Sequence, residues 1–366
     1  MDRNGANDSS RNHGIDLMRA VLVLGVMAFH YTIRWAPPDF PYDILHYDAA
    51  YSRHWAIGGF GVHMFFMISG YVITLSVLRA GSAFRFAMSR FLRIYPAFLI
   101  AAIGACAIPR LFGPWQLHST PMDLLTTLLL VPTELGAHYT DGAFWTLTVE
   151  AKFYAFVFAG YIAAKERFWV LLAALGVAGP LVFEVIPGVG DKLLISHYLG
   201  FFLIGMSAWY AMNAREPGPA SALGASGIFA CVMSFDTIAY DGAVSYVSLG
   251  LLALGAVAIF LLARFNPRLR LPPFGFLGGI SYELYLVHQV AGLSLIARLK
   301  TLTALPDVAC MVLSALAMFA LATLLQRGAS PPLRRAFRSG LDRVAALSAP
   351  WSFPLRRRAA LPPDLS

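Results

Sequence analysis

Long apolar runs separated by short polar stretches dominate the chain. A transmembrane helix needs about 20 largely apolar residues, because each residue of a helix rises about 1.5 Å. Backbone groups inside lipid must hydrogen-bond within their own segment, so these runs are predicted to be helical. The qualifying segments are approximately 15–35, 57–79, 95–113, 144–164, 168–187, 192–212, 219–239, 244–264, 275–298 and 305–327. The pattern therefore predicts an all-α, polytopic membrane helix bundle of about ten transmembrane helices.

One further apolar stretch, residues 122–132, has only about eleven residues, which is too short for a crossing. We expect it to form an interfacial or a re-entrant helix. If it crossed the membrane, the orientation of every later segment would be inverted.

The composition agrees with a chain that lies mostly in lipid. Hydrophobic residues make up 58% of the 366 residues and charged residues 13%, whereas soluble domains carry about 25% charged residues. Mean hydropathy is +0.64. The net charge of +8 would suggest a nucleic-acid partner for a soluble protein, but here the basic residues lie between apolar runs. We therefore expect the lipid bilayer, and no nucleic acid, as a partner.

The distribution of Lys and Arg predicts the orientation. With the N-terminus inside, 20 of these residues fall on the inner side and six on the outer side, so both termini are predicted to be cytoplasmic by the positive-inside rule. We predict a cytoplasmic segment at 1–14, a membrane domain at 15–327 and a basic tail at 328–366. The first helix is too long for the core of a cleavable signal. We expect the tail to be mobile and to touch anionic lipid.

Ionisable side chains inside the apolar segments are the first candidates for function, because each costs about 2.5–3.5 kcal/mol near the bilayer centre. They are Asp16, Arg19, His30, His63, Glu150, Lys152, Glu184, His197, Asp236, Glu283 and His288. His30 and Glu150 both lie about 8–9 Å from the predicted outer ends of their helices. His63 and His288 fall near the same depth. The pattern therefore predicts a layer of acid and base groups in the outer half of the bilayer.

A cationic cluster is predicted at the cytoplasmic face. Arg79, Arg85, Arg90 and Arg93 fall in the predicted loop between the second and third helices, with Asp16 and Arg19 beside them on the first. Arg90 and Arg93 are three residues apart, which places them on one face of a helix. Paired guanidinium groups bind phosphate well, so this face is a candidate site for a phosphate-bearing donor. Alternatively, the two arginines only anchor the helix at the inner surface. The three cysteines lie in apolar runs, and no spacing indicates a metal site.

Five segments occur in an order that resembles a known family. They are GIDLMRAVLVLGVMAFHY with His30, GVHMFFMISGYVIT with Ser69 and Gly70, SRFLRIYPAF with Arg90 and Arg93, FWTLTVEAKFY with Glu150, and LGGISYELYLVHQ with Tyr282 and His288. Together they resemble the acyltransferase-3 family of bacterial membrane proteins, over about residues 14–327. The FWTL form is closer to the exopolysaccharide acetyltransferase branch than to the branch with a fused outer hydrolase-like domain. His63 and Lys152 depart from residues common in the family.

The resemblance implies an O-acyltransferase of the bacterial cytoplasmic (inner) membrane. Such an enzyme moves an acyl group, most often acetyl, from cytoplasmic acyl-CoA to a hydroxyl of a cell-surface or exported glycan. The resemblance implies His30 as the essential histidine, Arg90 and Arg93 as acyl-CoA contacts, and Glu150 near the reaction centre. Asp16 and Arg19 are expected to form a local ion pair that shapes the donor site.

Our mechanistic hypothesis places the acceptor, a glycan or lipid-linked glycan, near His30. The imidazole then acts either as a general base or as an acyl-carrying nucleophile. Glu150 orients it, as the acid does in a catalytic triad; the alternative is an ion pair between Glu150 and either Lys152 or an arginine.

Further residues are predicted to bind substrate. Ser69 and Tyr282 are candidate oxyanion donors, and Trp145, Tyr285 and His288 are candidates for the acceptor cavity, although His288 also suits a polar helix interface. The main rival function is a transporter or flippase with a proton-relay histidine, but no inverted repeat is visible in the sequence.

Overall fold

A computed structural model of the protein describes residues 12–32, 61–234 and 272–347, together with short pieces between 250 and 261. All the regular elements in these residues are helices, which confirms the all-α prediction. The predicted eighth span at 244–264 lies largely outside the described residues. Asp236 and Arg356–Arg358 of the tail also lie outside them.

The helices of the first half run from the first span to the middle of the chain. They are α1 (His13–Thr32), α2 (Gly61–Ala80), α3 (Ala83–Phe112), α4 (Pro121–Leu128), α5 (Trp145–Ala164), α6 (Phe168–Val185) and α7 (Pro187–Lys192). Those of the second half are α8 (Ser196–Trp209), α9 (Pro217–Met233), α10 (Pro272–Val287), α11 (Val290–Leu302), α12 (Asp307–Leu324) and α13 (Ser330–Leu347). The bounds of α1, α2, α5 and α6 agree with the predicted segments to within a few residues.

Five stretches are long and apolar enough to cross a bilayer. They are His13–Thr32, Gly61–Ala80, Ala83–Phe112, Gly142–Val185 and Asp307–Arg343. Two shorter apolar helices, Pro217–Met233 and Phe274–Val287, accompany them. The described part of the chain is therefore a helical bundle with several candidate membrane spans, and the count of about ten crossings and the side of the termini stay predictions.

Helix α3 begins earlier than predicted. Ser82 caps its N-terminus by accepting a hydrogen bond from the Arg85 N–H at 3.2 Å, and 30 residues extend it to about 45 Å. The prediction of a loop containing Arg85, Arg90 and Arg93 is therefore wrong, because all three lie in the first turns of this helix. The first turns of α3 are amphipathic, and a helix needs only one apolar face to pack there. The prediction instead placed the start of the helix at the first uninterrupted apolar run.

The short stretch at 122–132 contains α4, which has eight residues and is about 12 Å long. Thr120 and Asp123 form a reciprocal capping box at its start, the arrangement that satisfies free N–H groups at a helix N-terminus. A helix of this length does not span the hydrocarbon core, which agrees with the prediction.

The predicted ninth span is two helices. Helix α10 ends at Val287 and α11 begins at Val290, with His288 and Gln289 between them. The prediction of one continuous helix over 275–298 is therefore wrong. Apolarity alone gave no sign of the interruption, because it is held by hydrogen bonds from another part of the chain, described below.

The region after α12 is also more ordered than predicted. A π-helical turn, Leu325–Ala329, leads into α13, which packs on α3. The expectation of a mobile tail is wrong for Ser330–Leu347. The signal was present, since Leu333, Phe337 and Leu341 recur every four residues and form an apolar face.

Close helix contacts set the positions of the site helices. A Cβ atom at Gly278 would collide with the backbone of Asp16, so α10 approaches α1 closely at that point. Similarly, a Cβ atom at Gly70 would collide with the Phe202 carbonyl where α2 crosses α8. Small residues that allow such approaches are a general feature of membrane helix packing. Helices α1 and α10 therefore lie side by side with a fixed register.

Candidate functional site

Two histidines meet where α1 and α10 end. His30 lies in the last turn of α1 and His288 directly follows α10. His30 Nδ1 and His288 Nε2 are 2.8 Å apart, and the ring centroids are 4.9 Å apart. Among the described residues, no three His, Cys, Asp or Glu side chains come together as a metal site would require. The histidine pair, His30 and His288, is thus a hydrogen-bonded pair of imidazoles.

The neighbouring carbonyl determines where the protons of the histidine pair lie. His288 Nδ1 is 2.8 Å from the Tyr285 carbonyl oxygen, and a carbonyl only accepts, so Nδ1 carries the hydrogen. The His288 ring is 0% exposed, and a charge buried without a counter-ion is costly. A neutral His288 therefore accepts at Nε2 from the Nδ1–H of His30. In this tautomer the lone pair of His30 is on Nε2, the form that a general base requires.

Tyr31 and Ser314 support the His288 backbone. The Tyr31 hydroxyl donates to the His288 carbonyl at 2.9 Å and lies 3.3 Å from Ser314 Oγ. Ser314 Oγ in turn donates to the Gly292 carbonyl at 2.9 Å. Residues of α1 and α12 thus hold both sides of the interruption between α10 and α11.

Asp141 holds the same interruption from the opposite direction. Its side chain is 1% exposed, and its two oxygens accept from the N–H groups of Ala143 and Val290, each at 2.9 Å. Val290 is the first residue of α11, where free N–H groups and the helix dipole favour a carboxylate. The Asp141 carboxylate thus accepts from a free N–H group at the start of α11 and helps to position His288.

Glu150 belongs to a different cluster. Its Oε1 accepts hydrogen bonds from Ser69 Oγ at 2.5 Å and from the Tyr154 hydroxyl. The expected direct contact with His30 is not formed, and His288 occupies that place. The alternative ion pair with Lys152 is not formed either, because Lys152 Nζ lies 2.7 Å from Glu134 Oε1.

The two candidate oxyanion donors are engaged elsewhere. Ser69 donates to Glu150, and the Tyr282 hydroxyl donates to the Ile94 carbonyl at 3.0 Å. Each hydroxyl has one hydrogen, so neither has one left for an oxyanion in this conformation. Ser69 and Tyr282 instead join helices α2 to α5 and α10 to α3.

The other predicted substrate residues lie near the histidine pair or along the bundle interior. The Tyr285 hydroxyl donates to the Ala143 carbonyl at 3.2 Å and accepts from Thr146 Oγ1 at 3.0 Å. The Trp145 ring packs against Tyr198, with centroids 5.0 Å apart. Tyr285 therefore joins α10 to the start of α5, and Trp145 belongs to an aromatic cluster.

The predicted donor residues gather at the opposite end of α1 and α10. Glu283 is 6% exposed and lies within electrostatic range of Arg19 and Arg93. Arg19 in turn interacts electrostatically with Asp16 and with Glu150, but the predicted ion pair between Asp16 and Arg19 is not formed at contact distance. In the part of the chain that the structure describes, neither Arg19 nor Arg93 has a hydrogen-bond or ion-pair partner within contact distance. Arg19, Arg93 and Arg90, which is on the same helix as Arg93, are called the arginine cluster below.

The arginine cluster and the histidine pair lie at opposite ends of one helix pair. Asp16 contacts α10 at Gly278, and further along both chains His30 contacts His288, so α1 and α10 run in the same direction. Arg19 and His30 are eleven residues apart on α1, which corresponds to about 16 Å.

Sequence reasoning missed four residues of this site. Asp141 escaped attention because it precedes an apolar segment, and only ionisable groups inside such segments were selected. Tyr154 follows Glu150 by four residues and so shares its helix face, which is the signal that could have identified it. Tyr31 directly follows His30 and does not share its face, so no spacing indicated its role. Gln289 is 1% exposed, and its Oε1 has no hydrogen-bond partner among the described residues.

A family model described as an acyltransferase domain matches residues 12–327. The chain belongs to the acyltransferase-3 family. The matched residues contain the histidine pair, Glu150 and the arginine cluster, whereas α13 lies beyond them.

Among curated proteins, the acyltransferase-3 chain is similar to exopolysaccharide production protein ExoZ of Rhizobium meliloti (strain 1021). The two are 29% identical over 273 residues, which cover 67% of this chain and 80% of the relative. No solved structure matches. Family membership makes this protein a membrane acyltransferase.

Proposed function

We propose that the protein transfers an acyl group, most often acetyl, from cytoplasmic acyl-CoA to a hydroxyl of an exported or cell-surface glycan. The observation that carries the proposal is the hydrogen-bond chain from the Tyr285 carbonyl through His288 to His30. It puts the lone pair of His30 on Nε2, about 16 Å along α1 from Arg19 of the arginine cluster. The name of the similar exopolysaccharide production protein supports a glycan acceptor.

The arginine cluster binds the donor. Arg90, Arg93 and Arg19 offer guanidinium groups that pair with the phosphates of coenzyme A. The pantetheine arm then follows α1 and α10 toward the histidine pair, and the thioester reaches His30. In this proposal the nucleotide binds from the cytoplasmic side, and the enzyme belongs to the inner membrane.

The transfer step follows from the tautomer of the histidine pair. His30 Nε2 takes the proton from the acceptor hydroxyl as its oxygen attacks the thioester carbonyl. The carbon–sulfur bond then breaks, and the leaving thiolate receives that proton. His288 stabilises the transient imidazolium, because the Nδ1–H of a charged His30 donates a stronger hydrogen bond. In the alternative route, His30 Nε2 attacks the thioester carbonyl, the carbon–sulfur bond breaks and the thiolate leaves. The acceptor oxygen then takes the acyl group from the acyl-imidazolium, and its proton passes to the thiolate, which regenerates neutral His30.

Transfer of radiolabel from acetyl-CoA to polysaccharide tests the proposal in membranes that contain the protein. We expect His30→Ala to lose all transfer above background, because the proton acceptor is removed. His138→Ala is the matched control, since His138 is exposed and has no side-chain hydrogen bond to the described residues. Insertion of both variants is checked by protein level in the membrane. Equal labelling by wild type and His30→Ala would refute the proposal.

A reporter fused near residue 138 tests the orientation separately. We expect a signal from the outer side, since α4 does not cross the membrane. Cytoplasmic activity of this reporter would place the α3–α5 connection inside and reverse the proposed sides of donor and acceptor.

The acyl-histidine route is tested by rapid acid quenching after one turnover without acceptor.

A further inference from the structure

Helix α13 covers the end of α3 that carries the arginine cluster. Phe337 of α13 packs edge-on against Phe91 and Tyr95, with ring centroids 5.5 and 6.0 Å apart. Phe91 and Tyr95 are themselves stacked at 4.8 Å. Because Phe91 lies between Arg90 and Arg93 in sequence, this contact places α13 directly beside those arginines.

Arg334 is on the face of α13 that is turned toward α3. It precedes Phe337 by three residues and therefore shares its face of the helix. Arg334 is partly buried, whereas Arg335 and Arg338 are exposed. Its Nε atom is buried and has no hydrogen-bond partner among the described residues.

Arg334 also shares its anionic neighbour with the arginine cluster. Glu283 interacts electrostatically with Arg93, Arg19 and Arg334. One carboxylate cannot neutralise three guanidinium groups or accept from all their N–H donors. The site therefore has excess positive charge and unsatisfied donors at a place that the bundle partly shields from water.

We propose that Arg334 binds a phosphate group of the nucleotide donor and that α13 thereby completes the donor site. The inference rests on the proposed function, since it assigns a further residue to the same donor. Guanidinium groups from three helices, α1, α3 and α13, then surround the phosphates. A helix beyond the matched family residues takes part in donor recognition and does not act only as a basic tail on the lipid surface.

Steady-state transfer kinetics with two donors test this role. Acetyl-CoA carries the nucleotide phosphates, and acetylpantetheine lacks them. For Arg334→Gln we expect KM for acetyl-CoA to rise about three- to tenfold, as for loss of a partly exposed charged hydrogen bond. The kcat at saturation and the KM for acetylpantetheine stay unchanged. Arg335→Gln, exposed and turned away from Phe337 on the same helix, is the matched control and leaves both donors unaffected.

A second measurement separates binding from folding and from activity. Coenzyme A should raise the Tm of purified wild-type protein in detergent, and Arg334→Gln should reduce this rise while Arg334→Lys keeps part of it. Equal losses with acetylpantetheine and acetyl-CoA would show that Arg334 is structural and would overturn the inference, as would unchanged kinetics. If wild type transfers no label from acetyl-CoA, the proposed function fails, whereas a wild-type response with an insensitive Arg334→Gln rejects only the role of Arg334.

Discussion

The two ends of the α1–α10 helix pair differ in how their polar groups are satisfied. At the end with the histidine pair, His30, His288, Tyr31 and Asp141 have neighbouring acceptors and donors within the protein. At the other end, Arg19 and Arg93 surround Glu283 without a hydrogen bond between described residues. The first end is organised before substrate arrives, and the second has donor groups left for a ligand.

This difference indicates a division of labour. Proton transfer requires a fixed geometry, and a preorganised hydrogen-bond chain provides it without reorganisation during the reaction. Binding a multiply charged donor requires unsatisfied cationic groups, and a site that already satisfied them internally would compete with the ligand. We therefore expect changes at the histidine end to lower kcat and changes at the arginine end to raise KM.

The largest expected effect beyond loss of His30 comes from His288→Leu. Leucine fills a similar volume but cannot accept from His30 Nδ1, so the tautomer and orientation of the base are lost. We expect kcat to fall about 100-fold, the lower range for loss of general-base assistance, with KM for acetyl-CoA unchanged. His288→Gln, whose amide oxygen can accept, should recover part of the rate. A change in KM alone would contradict the division of labour.

Arg93→Gln should give the opposite pattern. We expect KM for acetyl-CoA to rise about tenfold, because a charge-assisted hydrogen bond to phosphate is removed, while kcat at saturation changes little. The measurement is the initial rate over a range of donor concentrations at two salt concentrations, and the wild-type KM should rise with salt. Arg85→Gln is the control, since Arg85 is exposed at the start of the same helix.

Tyr31→Phe should give a smaller fall in kcat at the histidine end. The change removes only the hydroxyl that donates to the His288 carbonyl, a bond worth about 1 kcal/mol. We expect kcat to fall about fivefold and Tm to fall by a few degrees. If KM for the donor moved instead, Tyr31 would belong to donor binding and the boundary between the two ends would need revision.

The smallest effect is expected outside both ends, at the start of α4. Burial favours the neutral form of Asp123, but hydrogen bonds from Thr120 and from the His138 N–H dominate and hold its pKa below the usual value. A lowered pKa stabilises the fold above the unfolded value near 3.9, and this contribution is lost as pH falls through the lower folded value. Asp123→Asn should therefore lower Tm by more at pH 7 than at pH 3, with activity unaffected. An equal difference in Tm at both pH values would contradict this assignment.

Much of the fold could be predicted because apolar length is a strong signal in lipid. The bounds of α1 and α5 followed from it directly, as did the short helix at 122–132. The interruption after Val287 could not be predicted, since Asp141, more than a hundred residues away, satisfies the start of α11. Local patterns contain no information about such a contact.

The candidate site was predicted in part. The ionisable residues inside apolar segments included His30, His288 and Glu150, which were predicted to lie in one layer. Which of these side chains meet depends on how each helix is rotated about its axis, and depth along a helix does not define that rotation. The prediction therefore paired His30 with Glu150, whereas the structure pairs His30 with His288. Arg334 is not among the donor residues predicted from the sequence, because the basic residues after the last span are predicted to form a tail on the lipid surface.

The close approach of Gly278 to the Asp16 backbone sets the register of the helix pair. It limits how far α1 can slide along α10, and hence whether the His30 ring meets the His288 ring at the other end. A larger side chain at position 278 would displace one helix along the other and separate the two imidazoles. The alignment of the histidine pair thus depends on a glycine that lies several helical turns away from it.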